Sequence, residues 1–202
     1  MESVWPQAHR HSQFFILNSQ FGTYRLDGFD RASPDEHRQP PKQRLLGLIQ
    51  QPERFAELTG FPAAEGLRNF FVSGEVSPEW LAQLEKSSGY DPWRYGFFVL
   101  ERESGTAIGT AGFKGPPDAA DMVEIAYGIV PAFEGRGYAT EAAGALVGFA
   151  SASGEVRLVR AHTLPEHNAS ARVLEKCGFR LVGEVVDPED GPVWRWELST
   201  GL

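Results

Sequence analysis

Pro131-Ala132-Phe133-Glu134-Gly135-Arg136-Gly137-Tyr138-Ala139-Thr140-Glu141 is the stretch from which the rest of the chain can be read. An apolar run, Val123 to Val130, leads into it, and an apolar-periodic segment, Ala142 to Ala150, follows. That order predicts a strand, a glycine-rich turn and a helix. Gly135 and Gly137, at alternate positions, let the backbone curl so that several N–H groups point one way. A helix N-terminus behind them adds partial positive charge, and together they predict a phosphate or pyrophosphate site. A plain turn capping a helix is the simpler alternative. A dinucleotide fingerprint needs a third glycine where Thr140 stands, and a Walker loop needs Gly-Lys-Ser/Thr, which does not occur near here.

A second signal lies downstream in Asn168-Ala169-Ser170-Ala171-Arg172-Val173-Leu174-Glu175-Lys176-Cys177-Gly178-Phe179. Asn168 is a natural helix N-cap and Gly178 a natural C-terminal cap. In this order and spacing the two segments resemble the acyl-CoA loop (Gln/Arg-x-x-Gly-x-Gly/Ala) and the Asn-x-x-Ser-x-x-Val-Leu-Glu-Lys-x-Gly-Phe pattern of the GNAT superfamily of N-acetyltransferases. The branch they most resemble is the ribosomal-protein N-acetyltransferase (RimJ/RimL) type. Phe113-Lys114-Gly115-Pro116-Pro117-Asp118 and Gly191-Pro192-Val193-Trp194 also look like elements of that branch. The chain departs from the pattern at Glu134, where Gln or Arg is usual, and at His167, which holds the place of the family's Asn.

The resemblance implies an α/β fold of the α+β type. Its sheet would be mixed, mostly antiparallel and twisted, with helices on both faces and a splayed strand pair for acyl-CoA. It covers about Arg44 to Leu198, giving one acetyltransferase domain over residues 44–202 and an unassigned N-terminal extension or linker over 1–43.

Composition is compatible with this. At 202 residues the chain is long enough for one sizeable core, and 42% hydrophobic with 23% charged residues is ordinary for a globular protein. A formal charge of −8 argues against nucleic acid as the main partner. A single cysteine, Cys177, leaves no internal disulfide or multi-cysteine metal site, and the five histidines are too scattered for a metal triad. No signal-peptide core or span of about 20 apolar residues is visible, so a soluble, cytoplasmic protein with no membrane partner is expected.

Periodicity fills in the remaining elements. Phe14–Leu17 is a candidate strand, and Pro40-Pro41 reads as a helix breaker before a strand at Arg44–Gln50. A helix is expected over Pro52–Leu58, a loop over Phe61–Gly74, and a helix from Ser77 to about Ser87 with Trp80, Leu81 and Leu84 on one face. Strands follow at Tyr95–Glu101 and Thr106–Lys114, where Gly109 and Gly112 suggest close backbone approach or a bulge. Later strands are Val156–Ala161, Phe179–Val186 and Val193–Leu198.

The family's reaction moves an acetyl group from acetyl-CoA to an amine, with no metal. The amine must lose a proton, and the leaving thiolate must gain one. Glu124 is the candidate base, since a Glu at the corresponding place often serves so in the superfamily. Alternation puts it with Met122, Ala126 and Gly128, opposite Ile125, Tyr127 and Ile129. A plain surface carboxylate is the alternative. The family's usual acid, a Tyr on the second-motif helix, falls at Leu174, which leaves Ser170 as the nearby hydroxyl. The resemblance assigns the cofactor to Gly135, Arg136, Gly137, Tyr138, Ala139 and Thr140, to Ile129 and Val130 at the strand end, and to Asn168, Arg172 and Lys176. The acceptor is a protein N-terminus or a small-molecule amine. A coenzyme-A-binding sensor or scaffold without chemistry is the competing reading.

Overall fold

The structure, a computed structural model, describes residues 14–18, 22–24, 41–72, 82, 84–86, 91–188 and 190–201. The chain forms two compact units, the first from Met1–Tyr90, Phe97–Thr110 and Ile129–Glu134, the second from Asp91–Gly96, Ala111–Gly128 and Gly135–Leu202.

The first unit holds β1 (Phe14–Asn18), β2 (Gly22–Tyr24), α1 (Pro41–Gln50), α2 (Phe55–Thr59), α3 (Asn69–Val72), β3 (Phe97–Glu101) and the start of β4 (Ala107–Phe113). β1 is antiparallel to both β2 and β3, with Phe14 opposite Glu101 and Leu17 opposite Phe98. The strand expected at Arg44–Gln50 is instead helix α1. Apolar residues at 45, 46, 48 and 49 fit a helical stripe as well as a buried strand, and Pro41 occupies the first helical position rather than breaking anything. Leu45 and Leu48 are buried, and a Cβ on Gly47 would meet Leu58 Cδ1 at 3.0 Å, so the glycine lets α1 and α2 pack closely. Phe55, Phe61 and Phe98 meet edge to face at 5.4–6.0 Å to form this unit's aromatic core. The expected loop at Phe61–Gly74 contains α3. Residues 82 and 84–86 are helical, while Ser77, Trp80 and the rest of that expected helix lie outside the described residues.

The second unit holds α4 (Pro92–Tyr95), the end of β4, β5 (Met122–Ile129) up to Gly128, α5 (Tyr138–Ser153), β6 (Leu158–Thr163), α6 (Ala169–Lys176), β7 (Arg180–Asp187) and β8 (Gly191–Ser199). Its strands run in the order β4-β5-β6-β8-β7. β5 and β6 are parallel and joined through α5, whereas β6–β8 and β8–β7 are antiparallel. The fold is therefore mixed α/β with a mostly antiparallel sheet, as expected. The close approach foreseen at Gly112 is to Gly96: a Cβ on Gly112 would lie 2.9 Å from Gly96 Cα. Trp93, Phe113 and Phe149 fill the core nearby at centroid distances of 4.6–5.7 Å. Among the described residues, no helix is long and apolar enough to cross a membrane.

Candidate active site

The register of β5 sets the site. Its parallel pairing with β6 runs from Met122↔Leu158 to Glu124↔Arg160. Beyond Arg160, β6 continues to pair with β8 as far as Thr163↔Trp194. β5 instead goes on toward the glycine loop, so its edge parts from β6 after Glu124.

That loop has the geometry its sequence predicts. Gly135 and Gly137 have φ of 72° and 93°, a left-handed conformation that glycine adopts without strain. Gly137 is the N-cap of the 16-residue α5 and supplies no side-chain cap. A helix start presents backbone N–H groups lacking intrahelical partners, and a long helix adds its dipole. A Cβ on either glycine would meet nothing within 4 Å, so the space above the loop is open. Arg136 is exposed, and Ala139 and Thr140 are half-buried.

α6 runs between this loop and the part of β5 beyond the pairing. At its start, Asn168 Oδ1 accepts the Ala171 N–H at 2.9 Å, so Asn168 is the expected N-cap. One residue inside the helix, Ser170 Oγ lies 3.1 Å from Tyr127 Oη. At its end, Cys177 Sγ–H donates to the Thr140 carbonyl at 3.4 Å, which sets the last turn of α6 against the first turn of α5. Lys176 is exposed on that turn, and Arg172 is exposed nearer the helix start. Ile129 and Val130 belong to the first unit, where both are buried and the Val130 N–H donates to the Ile108 carbonyl at 2.8 Å.

Glu124 and Ser170 are not in contact. Strand alternation turns Glu124 to one face and Tyr127, with Ser170, to the other. On its own face Glu124 is held firmly: its Oε1 accepts from Lys114 Nζ at 2.7 Å and lies 3.0 Å from His162 Nδ1. Its side chain is 16% exposed and that of His162 12%. Desolvation pulls the Lys114 ammonium down, but the hydrogen bond and charge of Glu124, with Asp187 and Asp190, outweigh it and hold the pKa above 10.5. On the opposite face, burial pushes the Tyr127 phenol up to about 12, a rise that the Ser170 hydrogen bond partly offsets. Tyr127 therefore keeps its proton throughout the neutral range.

Sequence reading missed Lys114, Tyr127 and His162 as partners. The available signal was alternation on β6, which puts Arg160 and His162 on one face, combined with parallel β5–β6 pairing, which puts Glu124 on that face too.

Cys177 is not a prepared nucleophile. Burial raises its thiol from 9.0 to about 11, against a smaller opposing effect of the Gly144 backbone. Alkylation by iodoacetamide near neutral pH should run roughly 100-fold slower than for an unperturbed thiol, because the thiolate is the reacting form. Labelling as fast as in the unfolded chain would contradict this.

Comparison with known proteins gives a family and several relatives. The acetyltransferase (GNAT) domain family matches residues 45–180. An uncharacterized N-acetyltransferase, YjdG of Bacillus subtilis (strain 168), is 28% identical over 113 residues, or 56% of this chain and 65% of the relative. The match thus spans somewhat less than two thirds of that relative's length. Among solved structures, a chimera of the spermidine N-acetyltransferase SpeG from Vibrio cholerae and hSSAT superimposes with a TM-score of 0.52 at 18% identity, covering 60% of this chain and 75% of the other. Mycobacterium smegmatis RimJ in complex with CoA-disulfide gives 0.47 at 20% identity, with 52% of each chain covered.

Proposed function

The chain belongs to the GNAT acetyltransferase superfamily, and from that premise we propose that it moves an acetyl group from acetyl-CoA directly to a primary amine. The observation that carries this reading is the end of β5–β6 pairing at Glu124, with a proton-accepting pair on one face beside it and a proton-donating pair on the other.

The uncapped N-terminus of α5 with Gly135 and Gly137 holds the pyrophosphate through backbone N–H groups. Arg136 and Lys176 add positive charge at that end, and Asn168 and Arg172 stand at the opposite end of α6. The amine gives its proton to the Glu124–His162 pair, Lys114 keeping the carboxylate in place. The amine nitrogen bonds to the thioester carbon, and the C–S bond then breaks. The departing thiolate takes a proton from the Tyr127–Ser170 hydroxyl pair. Tyr127 thereby fills the place left by Leu174, reached from the strand instead of the helix.

The family relationship leaves the acceptor open between a protein N-terminus, as in the RimJ/RimL branch, and a small-molecule amine. Thiol release from acetyl-CoA over a panel of peptides, polyamines and amino acids tests the proposal. Amine-dependent release is expected. Tight coenzyme A binding without release to any amine would favour the sensor reading.

Because a thiolate is a tolerable leaving group near neutral pH, loss of the donor should be felt modestly. Tyr127→Phe and Ser170→Ala should each slow single-turnover transfer about 10-fold, below the usual acid–base contribution. Cys177→Ala should mainly lower the melting temperature. A dead but folded Cys177→Ala protein, with an acetyl group trapped on wild-type Cys177, would replace direct transfer by a ping-pong route.

A further inference from the structure

Two rows of side chains cross the Glu124 face of the second unit's sheet. The first follows the register Glu124↔Arg160, Arg160↔Glu197 and Glu197↔Arg180. Its charges alternate, and Arg160 Nη2 meets Glu197 Oε1 at 2.8 Å. The second row is built from His162↔Arg195 and Arg195↔Gly183. It is not satisfied: both His162 Nε2 and Arg195 Nε are buried and have no hydrogen-bond partner. Nor does any carboxylate among the described residues pair with Arg195: Glu197 is taken by Arg160, and Glu124 by Lys114 and His162.

Buried polar groups in folded proteins are paired, and each exception asks for a cause. Of the Arg195 guanidinium only Nε is orphaned, and the planar fork of this group suits a carboxylate. The neighbour on its other side is Gly183, where a Cβ would meet nothing within 4 Å, so the space over Gly183 is open. His162 supplies the other half. In the neutral tautomer whose Nδ1–H donates to Glu124, Nε2 is a lone-pair acceptor, the form that takes a proton from an amine. Directly opposed residues on antiparallel strands have Cβ atoms about 4.5–5.5 Å apart. The opposed pair His162↔Arg195 therefore sets a proton acceptor and an anion donor at neighbouring positions of one face.

We propose that this is the acceptor end of the active site, and that the acceptor is a small amino acid, its amine at His162 Nε2 and its carboxylate at Arg195. The proposal rests on the acetyltransferase reading and deepens it. His162 is the catalytic residue that receives the proton, and Glu124 positions it and balances its charge. A peptide N-terminus, whose carboxyl carbon is a neutral amide, would leave the Arg195 charge uncompensated, and a polyamine would repel it.

The test compares kcat/KM for α-amino acids, their carboxamides and the corresponding simple amines, in the wild type and in Arg195→Gln and His162→Gln. The wild type should prefer the acids over their amides by at least 10-fold. Arg195→Gln should raise KM for the acids by at least 10-fold and leave the amides within about 2-fold. His162→Gln should lower kcat for every acceptor. If Arg195→Gln does not fold, the wild-type ranking of acids against amides decides alone. Equal use of amides, or a preference for peptides or polyamines, would overturn this proposal and leave the acetyltransferase reading intact. No transfer to any amine would overturn both.

Discussion

Replacing Glu124 by Gln should lower the rate of acetyl transfer by roughly 10²–10⁴-fold, the usual range when acid–base catalysis is disabled, while acetyl-CoA binding stays unchanged. The glutamine keeps the shape of the carboxylate but not its charge. It still accepts from Lys114 and His162, yet it cannot stabilise the imidazolium that forms when His162 takes a proton. Such a loss corresponds to about 3–5 kcal/mol of transition-state stabilisation. It should shrink as the pH rises toward the acceptor amine's own pKa, because the neutral amine then needs no help. Single-turnover rates from neutral to alkaline pH, with coenzyme A affinity by calorimetry, give both quantities. A wild-type rate at neutral pH would reduce the Lys114–Glu124–His162 cluster to a structural salt bridge.

Gly137→Val should nearly abolish cofactor binding. Gly137 sits at φ 93°, where a β-branched residue is strained, and the space above it is empty. A valine there would stand where the proposed pyrophosphate approaches the backbone. Losing even two hydrogen bonds to a charged group, at about 1.5–3 kcal/mol each, predicts a fall in affinity of roughly 10²-fold or more. Gly154→Val is the matched control. Gly154 caps the other end of α5 at φ 71°, also in open space. It should lose comparable stability and keep coenzyme A affinity. Unchanged affinity in a folded Gly137→Val protein would move the pyrophosphate elsewhere.

What could be read from the sequence was local. The glycine loop, the Asn168 cap and the Gly178 stop each follow from residue type within a few positions, and each is found: Gly178 has φ 85°, and the Phe179 N–H reaches back to the Leu174 carbonyl. Arg44–Gln50 is ambiguous because seven residues rich in leucine satisfy a strand and a helix equally, and Pro41 opens α1 instead of breaking a helix. The partners of the candidate catalytic groups were hidden for another reason. His162 lies 38 positions from Glu124, and Ser170 lies 43 from Tyr127. Periodicity reveals which face a residue is on, but not which strand runs alongside. Once β6 is known to pair in parallel with β5 as far as Arg160, the placement of His162 follows at once.

The central claim is direct transfer of acetyl from acetyl-CoA to an amine nitrogen. Acetyl-CoA labelled in its acetyl group, incubated with the protein and the amine panel, puts this to the test by mass spectrometry. The account predicts label on the acceptor nitrogen in one-to-one ratio with free coenzyme A, and none on the protein. Coenzyme A released with the label only in free acetate, or cofactor bound with no turnover for any amine, would contradict it.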